Sequence, residues 1–506
     1  MKTRIIISLA ASALLSGCLT VGPDYSSPEP SIDPWSASVA GHVQGRRPEL
    51  DQWWRGFNDS VLNELIKRTR ESNRDLKIAS QRIYEARAQR GVARSQLFPA
   101  ANAGAEYVRS RTSESLLVPP PENPSNLYTA GFDAGWEIAV FGGIRRNIEA
   151  ADASIGASIE GYRDAMVTLL SETALNYIEY RTLQQRIRVA GENAEAQRQT
   201  RDLANVRFTN DLAPRIDLTQ ATTSYELTRA VIPQLESQLA FTRNRLATLS
   251  GGTPSSVEKL LASTRKIPSP RSGHAAGLPT DLLRSRPDIR RAERELAAQT
   301  ALIGVAAADL YPRFALFGGF NLQSVDSSDL FDSASRAYSF GPSMQWQIFS
   351  AGRIRNNIKI EESRAEQALL NYENTVLKAV EEVESSMVAV VKERDRTTYL
   401  TGALKSASET VGMVTDLYKE GLADFQRVLD ANRTKFDSED QLTVSEGEIA
   451  KNYVRLYKAL GGGTKVDVVP PVTPPRITNS RRSNRAPSDP EPGAVEETDA
   501  PEAGDE

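Results

Sequence analysis

The stretch Tyr338-Ser339-Phe340-Gly341-Pro342-Ser343-Met344-Gln345-Trp346-Gln347-Ile348 decides how this chain is read. Its large apolar residues fall on alternate positions, as on a strand with two unlike faces. It then leads into a run, Ser343 to Val469, that contains no proline. From Gly352 to Tyr418 that run reads as one helix, which at about 1.5 Å per residue extends on the order of 100 Å. A polar turn, Lys419-Glu420-Gly421-Leu422-Ala423-Asp424, reverses the chain, and a second helix returns to Leu460 before Gly461-Gly462-Gly463 ends it. An ordinary globular core has no use for a helix so long.

The same plan occurs earlier in the chain. Asp288 to Pro312 matches Asp75 to Pro99 at an offset of 213, and Gly421-Leu422-Ala423 follows Asp211-Leu212-Ala213 by 210. Leu460-Gly461-Gly462 follows Leu249-Ser250-Gly251 by 211, and Phe349 to Arg353 corresponds to Phe141-Gly142-Gly143. The body is therefore two tandem copies of helix, strand, strand, long helix and return helix. In the first copy a helical pattern spans about Val61 to Leu97, with Asp59 or Ser60 as its N-cap. Strands follow at about 101–110 and 127–139, then long helices at about 143–208 and 215–249, the latter holding Pro233, where a kink is expected. The second copy predicts strands at about 313–323 and 337–348 and helices at about 352–418 and 425–460. Residues 51–252 and 281–463 thus form two repeats, joined by a linker at 253–280.

The N-terminus carries an address. Met1-Lys2-Thr3-Arg4 is basic and Ile5 to Leu15 apolar, as in a signal peptide covering 1–17. Leu15-Ser16-Gly17-Cys18 resembles the lipobox of bacterial lipoproteins, which implies a diacylglycerol and an N-acyl chain on Cys18. Leu19, not an aspartate, follows, and that favours the outer membrane. Residues 18–50 read as an extended, lipidated linker rich in Pro, Ser and Gly. At the other end, 464–506 is Pro-rich and then acidic, with eight carboxylates from Asp489 to Glu506; such a composition predicts a disordered tail.

No segment after the signal peptide reaches the 18 or so apolar residues of a spanning helix, so a membrane crossing requires a closed β-barrel. Each strand is about the length of a tilted membrane strand, with apolar residues on one face and Gly, Asn, Gln, Ser and acids on the other. Trp136 and Trp346 lie near the helix-proximal ends of the second and fourth strands, where an interfacial aromatic girdle is expected. Four strands cannot close a barrel, and open edges in lipid are untenable. Several chains must therefore supply it together. Along the second long helix, Ile354, Ile358, Ala365, Leu369, Tyr372, Val376, Val380, Val383, Met387 and Val390 form a stripe with a period of about 3.6. Nearly straight helices packed as a wall suit this spacing better than a heptad rope.

These residues resemble the TolC-like outer-membrane factors, in the lipoprotein branch that serves tripartite drug-efflux pumps. The resemblance is carried by Cys18 with Val21-Gly22-Pro23-Asp24-Tyr25, by Trp53-Trp54 through Phe57, and by Leu97-Phe98-Pro99. It is also carried by Leu278-Pro279-Thr280-Asp281-Leu282-Leu283-Arg284-Ser285-Arg286-Pro287-Asp288-Ile289-Arg290 and by Trp346-Gln347-Ile348-Phe349 with Gly352-Arg353. It implies a mainly α fold with a membrane β-barrel: a homotrimer in which four strands per chain make twelve, continued by a long-helix periplasmic tunnel with a mixed equatorial region. The turns Asn210-Asp211-Leu212-Ala213 and Glu420-Gly421-Leu422-Ala423 would meet a periplasmic adaptor, itself coupled to an inner-membrane RND-type pump. Asp416 and Tyr418 would narrow the periplasmic mouth, although the first copy has Val206 at the position of Asp416. Asp211 stands where the second turn has Gly421, so equivalent docking at the two tips is not implied.

The composition excludes other classes. A net charge of −4 on 506 residues carries no nucleic-acid footprint. One cysteine and two histidines make no zinc site. His42 and His274 lie in a linker and a loop, Gly461-Gly462-Gly463 is a helix cap, and no catalytic constellation or cofactor site emerges. The expected role is a passive duct for small molecules and drugs. The alternatives are an outer-membrane duct for type I protein secretion and, in a different class, a periplasmic coiled-coil adaptor without a pore.

Overall fold

The computed structural model describes residues 20–28, 50–113, 115, 123–269 and 286–463. Cys18, Leu278 to Ser285 and the tail 464–506 lie outside the described residues. In chain order the described elements are a 3-10 turn at Trp53–Phe57, α1 at Ser60–Ser72, α2 at Arg74–Ser95, β1 at Ala100–Ser110 and β2 at Ser125–Ile138. Next come α3 at Gly143–Thr209, α4 at Arg215–Leu249, α5 at Pro254–Leu261 and α6 at Pro287–Ala308. The chain continues with β3 at Arg313–Ser324, β4 at Arg336–Gln345, α7 at Arg353–Lys419 and α8 at Phe425–Ala459. A further short 3-10 turn, Ser333–Ser335, precedes β4.

Three expectations change in detail. The helical pattern from Val61 to Leu97 is two helices, because Asn73 takes an extended ψ of 133° and its side chain caps Leu76 N–H at 3.1 Å. The second-copy hairpin ends at Gln345, so Trp346 lies just beyond the strand. The stretch between the repeats is not all linker, since α5 packs Val257 and Leu261 into the core. Helix α4 runs as one element through Pro233.

The sheet order is β1-β2-β3-β4, with every neighbour antiparallel. The helices on one side of the sheet's end keep a matching order: α2 packs on α3, α3 on α6, and α6 on α7. Farther along the long helices the sequence is α4, α3, α8, α7. The subunit is thus an open strip. One margin is β1, α2 and α4; the other is β4 and α7.

The core lies where the repeats cross. Trp53, Trp54, Phe57, Leu62, Leu65 and Ile66 pack against Leu170, Ala174, Tyr177 and Ile178 of α3 and against Tyr453 and Val454 of α8. Full burial of each Leu or Ile there contributes about 1.5–3 kcal/mol. Trp53 stacks on Tyr457 at 5.4 Å, and Gly463 N–H donates to Leu50 C=O at 2.8 Å, which joins the two ends of the folded body. Asp59 caps α1 through Val61 and Leu62 N–H and also accepts from Tyr177 O–H at 2.8 Å. Burial lifts the Tyr177 pKa far above the ordinary phenol value, so it remains a donor. At Gly447 a Cβ would stand 2.3 Å from Thr182 Oγ1, so only glycine lets α8 approach α3 this closely.

The α7 stripe is confirmed in position: Ile354, Tyr372, Val376, Val383, Met387 and Val390 are buried, and Ile358, Ala365, Leu369 and Val380 are half-buried. The opposite side of α7 leaves Leu370, Leu377, Tyr399 and Met413 more than half exposed.

Candidate functional site

The working surfaces are the sheet, its junction with the helices, and the far tip. Directly paired residues share a face of an antiparallel sheet. The register aligns Ala103, Phe132, Phe320 and Tyr338 in one row, and Ala101, Ala134, Gly318 and Phe340 in another. Trp136, Leu316 and Pro342 make a third row on the same face. The opposite face carries Asn102, Asp133, Gly319 and Ser339 and, two rows farther along, Glu106, Thr129 and Gln323. One face is therefore apolar across all four strands, and its aromatics are open: Phe132, Tyr338 and Phe340 are 58%, 76% and 80% exposed. The exceptions are Phe317, on the polar side opposite Gly341, and the Val108–Leu127 pair on that same side.

The two interface tryptophans play matching parts. Trp136 Nε1–H donates to Leu97 C=O at 2.9 Å, and Trp346 Nε1–H donates to Leu310 C=O at 3.1 Å. Each ties the end of a hairpin to the carbonyl just before that hairpin begins. Phe141 stacks on Tyr311 at 4.6 Å between the repeats. Indoles with the N–H satisfied and the ring exposed suit the boundary between water and hydrocarbon.

At the tip the two turns are built alike. Leu212 N–H donates to Arg207 C=O and Leu422 N–H to Leu417 C=O, both at 2.8 Å. Asp211 and Gly421 hold the left-handed position, with φ of 57° and 79°. Asp211 tolerates this region at a small cost, as short polar residues do. Leu212 and Leu422 are 65% and 71% exposed at the point of each turn, while Asp424 caps α8 through Arg427 N–H.

Of the two mouth residues singled out in the sequence, Asp416 is exposed and pairs with Lys419 at 3.0 Å. Tyr418 is buried and reaches across to the first hairpin. Its hydroxyl donates to Asp217 Oδ2 at 3.1 Å, and the Arg207 guanidinium lies 4.8 Å from its ring centroid. Arg207 Nη1 donates to Lys419 C=O at 2.8 Å. Burial, then the charge of Asp217, pushes the Tyr418 pKa up to about 12, so its proton stays in place at physiological pH. The latch joins Arg207 and Asp217 of one hairpin to Tyr418 and Lys419 of the other. Arg207 and Asp217 were not singled out in the sequence; their departure from Leu417 and Arg427, the residues at the matching places in the second copy, is the signal that marks them.

An open strip with one apolar sheet face, an aromatic collar and no helix among the described residues fit to cross a membrane has the make-up of a channel-wall subunit. The match to known proteins says which channel. The family model described as outer membrane efflux protein matches residues 65–252 and 278–462, and the chain belongs to that family. Nodulation protein T of Rhizobium leguminosarum bv. trifolii is 30% identical over 453 residues, covering 89% of this chain and 96% of its own. The solvent efflux pump outer membrane protein SrpC of Pseudomonas putida is 29% identical over 486 residues, covering 91% and 98%. The structure of the outer-membrane channel OprN superposes with a TM-score of 0.81 at 34% identity, over 88% of this chain and 99% of that one. The fold is that of the TolC-like outer-membrane channels, mostly helical with a small sheet. The protein is an outer-membrane efflux channel component, and the non-pore adaptor reading falls.

Proposed function

We propose that three copies close margin to margin into one duct, with β4 of each chain pairing β1 of the next to give a barrel of twelve strands. The observation that carries this is the strip itself, whose order β1-β2-β3-β4 leaves two dissimilar margins. A contact between unlike margins repeats head to tail and makes a ring when its rotation closes. The apolar sheet face meets lipid and the polar face, with Asp133 and Glu106, lines water. The open residues of α7 (Leu370, Leu377, Tyr399) and of α4 (Ile216, Leu227, Phe241) lie on the two margins and are covered by neighbours.

At the periplasmic end the Tyr418–Asp217 latch holds the two hairpins of a subunit together, and its release is the opening step. The exposed Leu212 and Leu422 receive a periplasmic adaptor, and an inner-membrane RND-type pump supplies the energy. The cargo is a small molecule of the kind a solvent or drug pump delivers. Cys18, acylated, anchors each subunit in outer-membrane lipid, since two or more chains at about 0.8 kcal/mol per buried CH2 hold it stably. Reconstitution of the purified protein into planar bilayers tests the reading. Conductance steps are expected only from the trimeric fraction. Steps from monomers, or none from trimers under any voltage, would overturn it.

A further inference from the structure

The mature chain's first described residues are seated in a built site. Arg146 of α3, with a side chain 4% exposed, donates from Nε to Val21 C=O at 3.2 Å and from Nη2 to Gly22 C=O at 3.3 Å. Nη2 also reaches Asp24 Oδ1 at 2.6 Å, and Nη1 bonds Glu149 at 2.9 Å. Val21 N–H donates to Phe141 C=O at 3.3 Å. A buried guanidinium with every nitrogen engaged is a costly arrangement unless its partners stay in place.

The seat spans both repeats. Gly22, at φ 92°, lies so close to α6 that a Cβ on it would stand 2.4 Å from Gly304 Cα. A Cβ on Gly304 would stand 2.7 Å from Val21 C=O. Farther along α6, Tyr25 O–H and Ser27 Oγ–H donate to Glu293 Oε1 at 3.2 and 3.1 Å. The segment thus crosses from Phe141, Gly142 and Arg146 of the first copy to Gly304 and Glu293 of the second. Thr20 Cα lies 2.9 Å from where a Gly142 Cβ would be, so the segment begins against the turn that leads from the sheet into α3.

We propose that residues 20–28 are a strap that holds the acyl-bearing end of the chain at the foot of the sheet, with Arg146 as the positioning residue that fixes it. The anchor is then no free tether. It is tied, through Thr20 and Val21, to the junction between sheet and long helices. This part of the inference rests on acylation of Cys18; the strap itself does not.

The test uses full-length trimers carrying a nitroxide on the Ser26→Cys variant, at an exposed strap position. Cys18 is the chain's only cysteine, so the unaltered protein takes no nitroxide if Cys18 is acylated and one if it is free. A count of one removes the acyl reading and leaves the strap to its own spectrum, recorded after Cys18→Ser. The expected spectrum is immobilised. Arg146→Ala sharpens it, with motion roughly five-fold faster on the nanosecond scale, and Arg146→Lys gives an intermediate line because one ammonium keeps Asp24 but not both carbonyls. Gly304→Ala, which leaves all charges untouched, also frees the strap, and Asp24→Asn substitutes if Arg146→Ala fails to trimerise. A strap nitroxide already mobile in the unsubstituted background, or unmoved by Gly304→Ala and by Arg146→Ala or its substitute, would overturn the proposal.

Discussion

The two repeats meet the same architectural demand with different chemistry, and the clearest case is the corner where a return helix ends. In the first, Asn73 donates from its side chain to Leu249 C=O at 2.9 Å while capping α2. In the second, the matching place holds Arg286, whose Nη1 donates to Ala459 C=O, the last residue of α8 as Leu249 is of α4. Arg286 also grips Asp288 at 2.7 Å and Glu382 of α7 at 2.9 Å. The tips diverge in the same manner. Where the first hairpin has Arg207, Phe208 and Asp217, the second has Leu417, Tyr418 and Arg427, and only this mismatch lets one hairpin latch the other. Duplication supplied two like frames, and difference between the copies made them cohere.

The largest expected effect separates the corners. Arg286→Ala strips a buried cation from two carboxylates and a carbonyl, at a loss of about 3–5 kcal/mol, whereas Asn73→Ala loses about 1–2 kcal/mol. Thermal dissociation of the purified trimer checks this; equal losses would mean that the corners are interchangeable. Next is Tyr418→Phe, which removes the latch donor and keeps the ring. The partly solvated bond to a carboxylate is worth about 1–2 kcal/mol, and the channel is expected to open roughly ten-fold more often in single-channel records. Because the Tyr418 pKa stands at about 12, the wild-type latch should not vary between pH 6 and 9; a change in opening across that range would assign gating to another group.

The tips give a smaller contrast. Gly421→Ala forces a Cβ into the left-handed region and costs about 1–2 kcal/mol, while Asp211→Gly stays within about 0.5 kcal/mol. Matching losses of thermal stability at both turns would refute this ordering. Smallest is the collar. Trp136→Phe and Trp346→Phe each leave one carbonyl without its indole donor, for about 0.5–1.5 kcal/mol apiece, and the two values should agree, since both indoles make the same bond. Disagreement beyond 1 kcal/mol would mean that the collar is not twofold in energy as it is in geometry.

Much of the fold was legible because it is periodic. Alternation placed the four strands, and the register then set their apolar residues on one face; the period of about 3.6 along α7 named residues that are buried or half-buried. The break at Asn73 escaped that reading because the apolar pattern continues through it. An N-cap followed by Asp75 in the first turn was its local trace. The latch escaped for a different reason: Tyr418 and Asp217 lie 201 positions apart, and no local pattern pairs them. The strap was visible only as a family motif, Val21 to Tyr25, whose purpose depends on Arg146 and Gly304 in distant elements.

The uncovered side of α7 bears on how the molecule is made. A newly exported subunit, alone in the periplasm, carries Leu370, Leu377, Tyr399 and Met413 bare along α7, and a sheet whose aromatic face has no lipid yet. Exposed apolar side chains on this scale invite aggregation. If the proposed closure between copies is what covers this surface, the yield of folded protein should rise with the supply of subunits.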